Sequence, residues 1–199
     1  MTFDPRREPF RSILLEMSGD RAEDDSVPDD ASAFWTGLSV EDLAAVGAIA
    51  SHAGVVEMNM WRVLRIMLGG FNAETWIMTK GLQAAQLTAR IREIATLDRW
   101  HGLSARSGLT EMLAEVDAAM RERNLVLHGG VNGSAIDPSE FAYFARRDPS
   151  RMTDAVHTLV LPKDELTRIA ARFSILDRLS WWLFVETIDE AAQHSSSLG

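Results

Sequence analysis

Apolar residues that recur every three or four positions over four long stretches are the strongest constraint on what this chain can fold into. From Val46 the series Ile49, Ala50, Ala53, Val56, Met60, Val63, Leu64 and Met67 keeps that spacing, which draws one apolar stripe along a helix. Ser39, followed by Glu41 and Asp42, supplies a start with acids near the positive end of the helix dipole, and Gly69-Gly70 supplies a stop. A second helix is expected from a cap at Asn72 through Ile77, Gly81, Ala84, Thr88, Ile91 and Ile94 to about Leu97. Arg99 to Gly108 then reads as a connection. A third helix is expected from Leu109 through Met112, Leu113, Val116, Met120 and Leu127, ending at Gly129-Gly130.

The next segment has another character. Residues 131–140 contain Gly, Asn, Asp and Pro and read as a loop. Phe141 to Ala145 and Val156 to Leu161 read as two short strands around a polar turn. Pro162 suits a first helical position, with Asp164 and Glu165 behind it, and the last helix is expected to reach about Gln193. Its first half is amphipathic, with Leu166, Ile169, Ala170, Phe173 and Leu176 on one face. Its second half, Leu179 to Val185, is apolar nearly all round. Such a stretch must be covered on more than one side, either in the middle of the fold or at a subunit interface. The expected class is all-α, a four-helix-type bundle with a small β-hairpin insert before the last helix. Residues 1–33 form an acidic, largely flexible segment, 34–194 the helical domain and 195–199 a frayed tail.

Charge and composition narrow the function. The chain of 199 residues carries a net −9, and residues 1–30 alone hold nine acids against four arginines. No cysteine is present, which removes disulfides, thiolate metal sites and a cysteine nucleophile. The charge-free run Leu179 to Val185 is too short to span a bilayer, which takes about 20 apolar residues. Asp4, Arg6, Arg7 and Glu8 do not fit a secretory signal. The expectation is a soluble cytoplasmic protein without membrane contact. His52, His101, His157 and His194 form no metal-binding spacing, so neither a metal nor a cofactor is expected. Trp61, Trp76, Trp181 and Trp182 sit in helical patterns where core packing is the ordinary role.

One segment carries chemistry. Arg123-Asn124-Leu125-Val126-Leu127-His128, at the end of the third helix, puts a permanent cation, an amide and an imidazole at one helix terminus. An arginine holds a phosphate through a fork of donors. Histidine, with a reference pKa near 6.5, exchanges protons at working pH. Metal-free RNA cleavage needs those two roles: a base takes the proton of a 2′-hydroxyl, and a cation stabilises the charge on the attacked phosphate. Asn124 and His128 share a helical face, whereas Arg123 and His128 lie about 140° apart around an ideal helix. A loosened final turn, or a second copy of the segment across a dimer axis, would bring them together. The same residues also suit a plain helix end, since a histidine in a last turn complements the dipole.

An Arg followed by Asn, three residues and then His-Gly, ending a long helix in a small helical protein, resembles the HEPN superfamily. Arg123, Asn124 and His128 match its motif, and the resemblance covers roughly residues 37–194 in architecture. It implies a helical bundle that dimerises so that two motifs form one composite site. It also implies a metal-independent ribonuclease of the kind found among toxins and defence effectors, with RNA as substrate and an antitoxin or other protein as partner. Other members keep the fold as non-catalytic nucleotide- or protein-binding modules. Arg121, Arg146 and Arg147 are the expected substrate-binding cations, although basic residues cluster only locally in an acidic chain.

Overall fold

Ser39 opens the first helix through a reciprocal cap. Its hydroxyl and its N–H donate to Asp42 Oδ2 at 2.6 and 2.9 Å, and the Asp42 N–H donates back to Ser39 Oγ at 3.1 Å. The structure, a computed structural model, describes residues 39–105, 108–128, 130–133, 140–144, 158–162 and 164–197. Among them are the helices α1 (Val40–Met67), α2 (Ala73–Thr79), α3 (Ala84–Ala95), α4 (His101–Ala105), α5 (Leu109–His128) and α6 (Glu165–Ser197), with a 3-10 turn at Asp98–Trp100 before α4. Three short strands, β1 (Gly130–Gly133), β2 (Glu140–Phe144) and β3 (Thr158–Pro162), fall between α5 and α6. The described residues are mostly helical, as the all-α expectation has it. The acidic segment 1–33, Arg146 and Arg147 lie outside the described residues.

The chain divides into two compact units. Among the described residues, the first gathers Gly54–Ala118 and the stretch from Ile175 onward, and the second gathers the chain up to Ala53 and Ala119–Ser174. Helices α1, α5 and α6 each contribute to both. Helix α1 is also long and apolar enough to cross a bilayer by length and composition, a test that a buried core helix passes equally. It carries the expected stripe: Ile49, Ala53, Val56, Met60, Val63, Leu64 and Met67 are buried, while Ala50 is exposed.

In the first unit, the single helix expected over 72–97 is two helices. Gly81 adopts φ +80°, a left-handed conformation that a Cβ disfavours, so it ends α2 where an unbroken stripe was expected. The chain restarts at Gln83, whose N–H donates to Gln86 Oε1 at 2.9 Å. The expected connection over 99–108 also gains structure, with Trp100 and Leu103 each 1% exposed. Asp117 of α5 accepts from Thr88 Oγ1 at 2.5 Å and from Arg92 Nη2 at 2.7 Å, tying α3 to α5. Asn59 Nδ2 donates to Ser180 Oγ at 2.9 Å, a buried polar pair between α1 and α6.

Helix α2 is turned against its own hydrophobic pattern. Thr75 and Thr79 are buried, whereas Trp76, Ile77 and Met78 are exposed, Ile77 to 74%. Ile77 and Trp76 were expected inside. The cause is polar. Thr75 Oγ1 donates to Gly70 O at 2.6 Å and accepts from Arg65 Nε at 3.2 Å, and Thr79 Oγ1 donates to Thr75 O at 2.7 Å. Asn72 caps the helix, its Oδ1 accepting the Thr75 N–H at 2.8 Å. Arg65 is itself buried and donates from Nη2 to Asn72 O at 2.8 Å. Its guanidinium carbon sits over the rings of Trp61, Phe71 and Trp76 at 4.6, 4.8 and 5.9 Å. This cation is held by aromatic faces and neutral oxygens, with no ion pair among the described residues.

In the second unit, Ala45, Ile49 and Ala53 of α1, Met120 and Val126 of α5, and Leu166, Ile169 and Phe173 of α6 are buried. The strands pair antiparallel in the order β1-β2-β3, with Gly130 opposite Phe144 and Glu140 opposite Pro162. Residues 130–133 therefore form a strand where a loop over 131–140 was expected. Pro162 ends β3 and does not begin the helix. It lies on an outer strand of this sheet, where its missing N–H is tolerated. Helix α6 begins at Glu165 and continues through Ser197, past the expected end at Gln193. The Ser195 and Ser196 hydroxyls donate to the carbonyls of Ala191 and Ala192 at 3.0 and 3.1 Å.

Replacing Arg65 by Lys keeps the charge but removes the Nε bond and the planar stack on the rings. We expect Arg65→Lys to cost about 2 kcal/mol, read from the urea midpoint at constant slope. A variant as stable as the native chain would show that the cation–ring contacts hold nothing.

Candidate functional site

Helix α5 presents its final turns, Arg121 to His128, within the second unit. Val126 faces inward at 3% exposure and fixes the rotation of the helix. Arg123 is consequently half-buried, while Arg121, Asn124 and His128 are exposed. Arg123 Nη1 donates to Asn124 Oδ1 at 3.0 Å. Its Nε is buried and donates to no group among the described residues. The motif thus places a guanidinium, steadied by the neighbouring amide, near the end of α5.

The structure brings Arg123 and Asn124 together directly. It records no contact from either to His128 among the described residues. The segment is α-helical through His128, so the final turn is not loosened before the glycines. At about 100° per residue, Arg123 and His128 point to sides roughly 140° apart. Asn124 and His128, four residues apart, share an exposed face.

Glu122 has a different partner from the ones its sequence neighbours suggest. Arg172 Nη1 of α6 donates to both of its carboxylate oxygens at 2.8 Å. The carboxylate beside the motif is therefore engaged across to α6, not by Arg121 or Arg123. One turn earlier on α6, Arg168 Nε donates to Glu165 Oε2 at 2.8 Å, and Arg168 Nη2 also reaches Glu165 Oε1. Arg168 is held above its ordinary pKa, first by the hydrogen bond to Glu165 and further by the charges of Glu165 and Glu122. Sequence spacing could not reveal the Glu122–Arg172 pair, since fifty residues separate its members.

The other expected cations divide. Arg121 is exposed on α5, and Arg146 and Arg147 lie outside the described residues. No group of three or more histidine, aspartate or glutamate side chains gathers as a metal site among the described residues. What the arrangement offers chemically is a guanidinium whose donors suit an anion and, one turn on, an accessible imidazole. Comparison with known protein families, curated proteins and solved structures gave no match for this chain.

The α6 pair beside the motif also makes stability depend on pH. Hydrogen bonding from Arg168, opposed by partial burial and reinforced by the Arg168 charge, holds the Glu165 carboxyl below its ordinary 4.5. A carboxylate whose folded pKa is depressed stabilises the fold above its unfolded pKa and loses that contribution as pH falls through the folded value. An NMR titration should find Glu165 below 4.5, and Arg168→Met should return it toward that value. The acid-side loss of stability should be shallower in Glu165→Gln.

Proposed function

We propose that this chain is a HEPN-like, metal-independent endoribonuclease. In this reading the helices form a HEPN-type bundle with a small β insert, and the protein works in the cytoplasm as a homodimer whose paired motifs make one composite site. His128 takes the proton from a 2′-hydroxyl. The freed oxygen attacks the adjacent phosphorus, the 5′-oxygen leaves with a returned proton, and a 2′,3′-cyclic phosphate remains. Arg123 clamps the phosphate as charge builds on it, and Asn124 orients the guanidinium or the substrate. Arg121, Arg146 and Arg147 meet the RNA backbone. A cell carrying such an activity as a toxin or defence effector would hold it in check with an antitoxin or another protein partner.

The observation that carries this reading is the Arg123–Asn124 hydrogen bond one turn before an exposed His128. The motif's two polar neighbours act as a pair, and its titratable member is open to substrate. The regular final turn, with Arg123 and His128 on diverging sides, favours a second reading: a non-catalytic HEPN-like nucleotide- or protein-binding and dimerisation module. A composite site answers that divergence by taking the arginine of one copy and the histidine of the other.

Cleavage of RNA by the purified chain in chelator decides between them. The ribonuclease reading expects cyclic-phosphate ends and a rate loss of about 10²-fold or more in His128→Ala prepared alongside. Mixing His128→Ala with Arg123→Ala subunits should restore part of the activity if the site is composite. Equal rates in native chain and His128→Ala, or none in either over several RNA classes, would move the assignment to the binding module.

A further inference from the structure

Within the first unit, the reversed polarity of α2 leaves Phe71, Trp76, Ile77 and Met78 exposed, held that way by the polar bonds of Thr75 and Arg65. Helix α6 adds Trp181, Val185 and Ile188, exposed at successive turns. Helix α1 joins the two groups through one face that carries Met58, Trp61 and Arg62. Trp61 meets Trp76 edge-on at 5.6 Å and Phe71 at 6.4 Å. Arg62 lies 5.6 Å over Phe184, which in turn lies 5.3 Å from Trp181. Met58 is exposed as well. The strip over α2, α1 and α6 leaves more apolar surface to water than a monomer ordinarily shows.

A stretch of this same chain, outside the described residues, has the complementary pattern. Phe10, Ile13, Leu14 and Met17 fall at the three–four spacing of one apolar helix face. Pro9 suits the first position of such a helix, and Gly19 suits its stop. A helix of that length is marginal in water unless a surface holds it. The segment needs a surface, and the strip needs a cover.

We propose that residues 9–18 dock as an amphipathic helix on this strip of their own chain. Reach permits it. Residues 18–38 span up to about 70 Å when extended, whereas α1 covers roughly 30 Å from Val40 to Trp61. Phe34 and Trp35, with at most about 20 Å of chain before Val40, do not reach that far. The tether also keeps the segment at a local concentration near millimolar, so a few apolar contacts suffice to hold it. Charge agrees. The segment carries both signs, in Arg6, Arg7 and Arg11 and in Glu8, Glu16 and Asp20. The exposed rim does too, in Lys80 and in Glu74 and Asp189. A lipid surface would have to accept those two rim acids. Arg123, Asn124 and His128 take no part in this face, so the docking stands apart from the ribonuclease reading.

Hydrogen exchange and NMR on the full chain without RNA test the proposal. Amides of residues 10–17 should exchange at least about tenfold slower in the native chain than in Met58→Asp or Val185→Asp. Circular dichroism should be unchanged in both variants, because both sites are exposed. In a chain with no native cysteine, a spin label on Ser12→Cys should broaden the indole signals of Trp76 and Trp181. Leu14→Asp should remove that broadening. Protection that is absent, or untouched by both strip variants, overturns the proposal, as does broadening that is absent or survives Leu14→Asp. Broadening passed only from labelled to unlabelled chains in a mixture overturns it in favour of a second copy on the strip. Flotation with phosphatidylcholine vesicles, lost in Met58→Asp, overturns it in favour of a lipid surface. Because no RNA is present, failure here leaves the cleavage experiment unaffected.

Discussion

A guanidinium taken out of water must find partners for its edge and its faces, and around Arg65 that demand organises the neighbouring chain. An arginine stays charged at any ordinary pH, so it cannot escape burial by losing a proton. Its edge is met by Thr75 and Asn72, and its faces by Trp61, Phe71 and Trp76. Meeting these terms folds residues 61–79 around one side chain. It also decides an otherwise even contest over α2, because hydrophobic pattern alone would turn Ile77 inward. The polar partners prevail, the threonines go in, and the apolar residues are left on the outside.

The parts of the fold written in single helices were readable from the sequence, and the parts written between elements were not. The stripe of α1 needs only the spacing of its own residues, and Ser39 with Asp42 announces its start. Gly69 and Gly70, at φ +118° and +100°, stop it as glycines should. Gly81 misleads because a glycine fits the spacing of a helical stripe as easily as a left-handed break. Thr75 carries no hydrophobic signal at all, yet its hydroxyl sets the rotation of α2. Four residues bounded by glycines, Gly130–Gly133, have little strand propensity of their own, and β1 becomes visible only through its pairing with β2.

The motif shows the same division on a smaller scale. The adjacency of Arg123 and Asn124 stands in the sequence, but side chains one position apart usually diverge, so their hydrogen bond does not follow from adjacency. Glu122 stands between Arg121 and Arg123 in the sequence, yet its partner is Arg172 of α6. That pairing matters electrostatically. A carboxylate already answered by α6 is not held by Arg123, whose own partner is the Asn124 amide.

The order in which the elements occur along the chain bears on how the protein is made. Neither unit is a contiguous stretch, and each draws part of its interior from α6, which follows the other described helices in chain order. Leu166, Ile169 and Phe173 complete one interior, and Leu176, Leu179 and Leu183 complete the other. Until they emerge, the nascent helices α1 and α5 hold their apolar stripes with no final covering. Both units therefore wait for α6, and a chain arrested before Glu165 would present two unfinished interiors to chaperones and proteases.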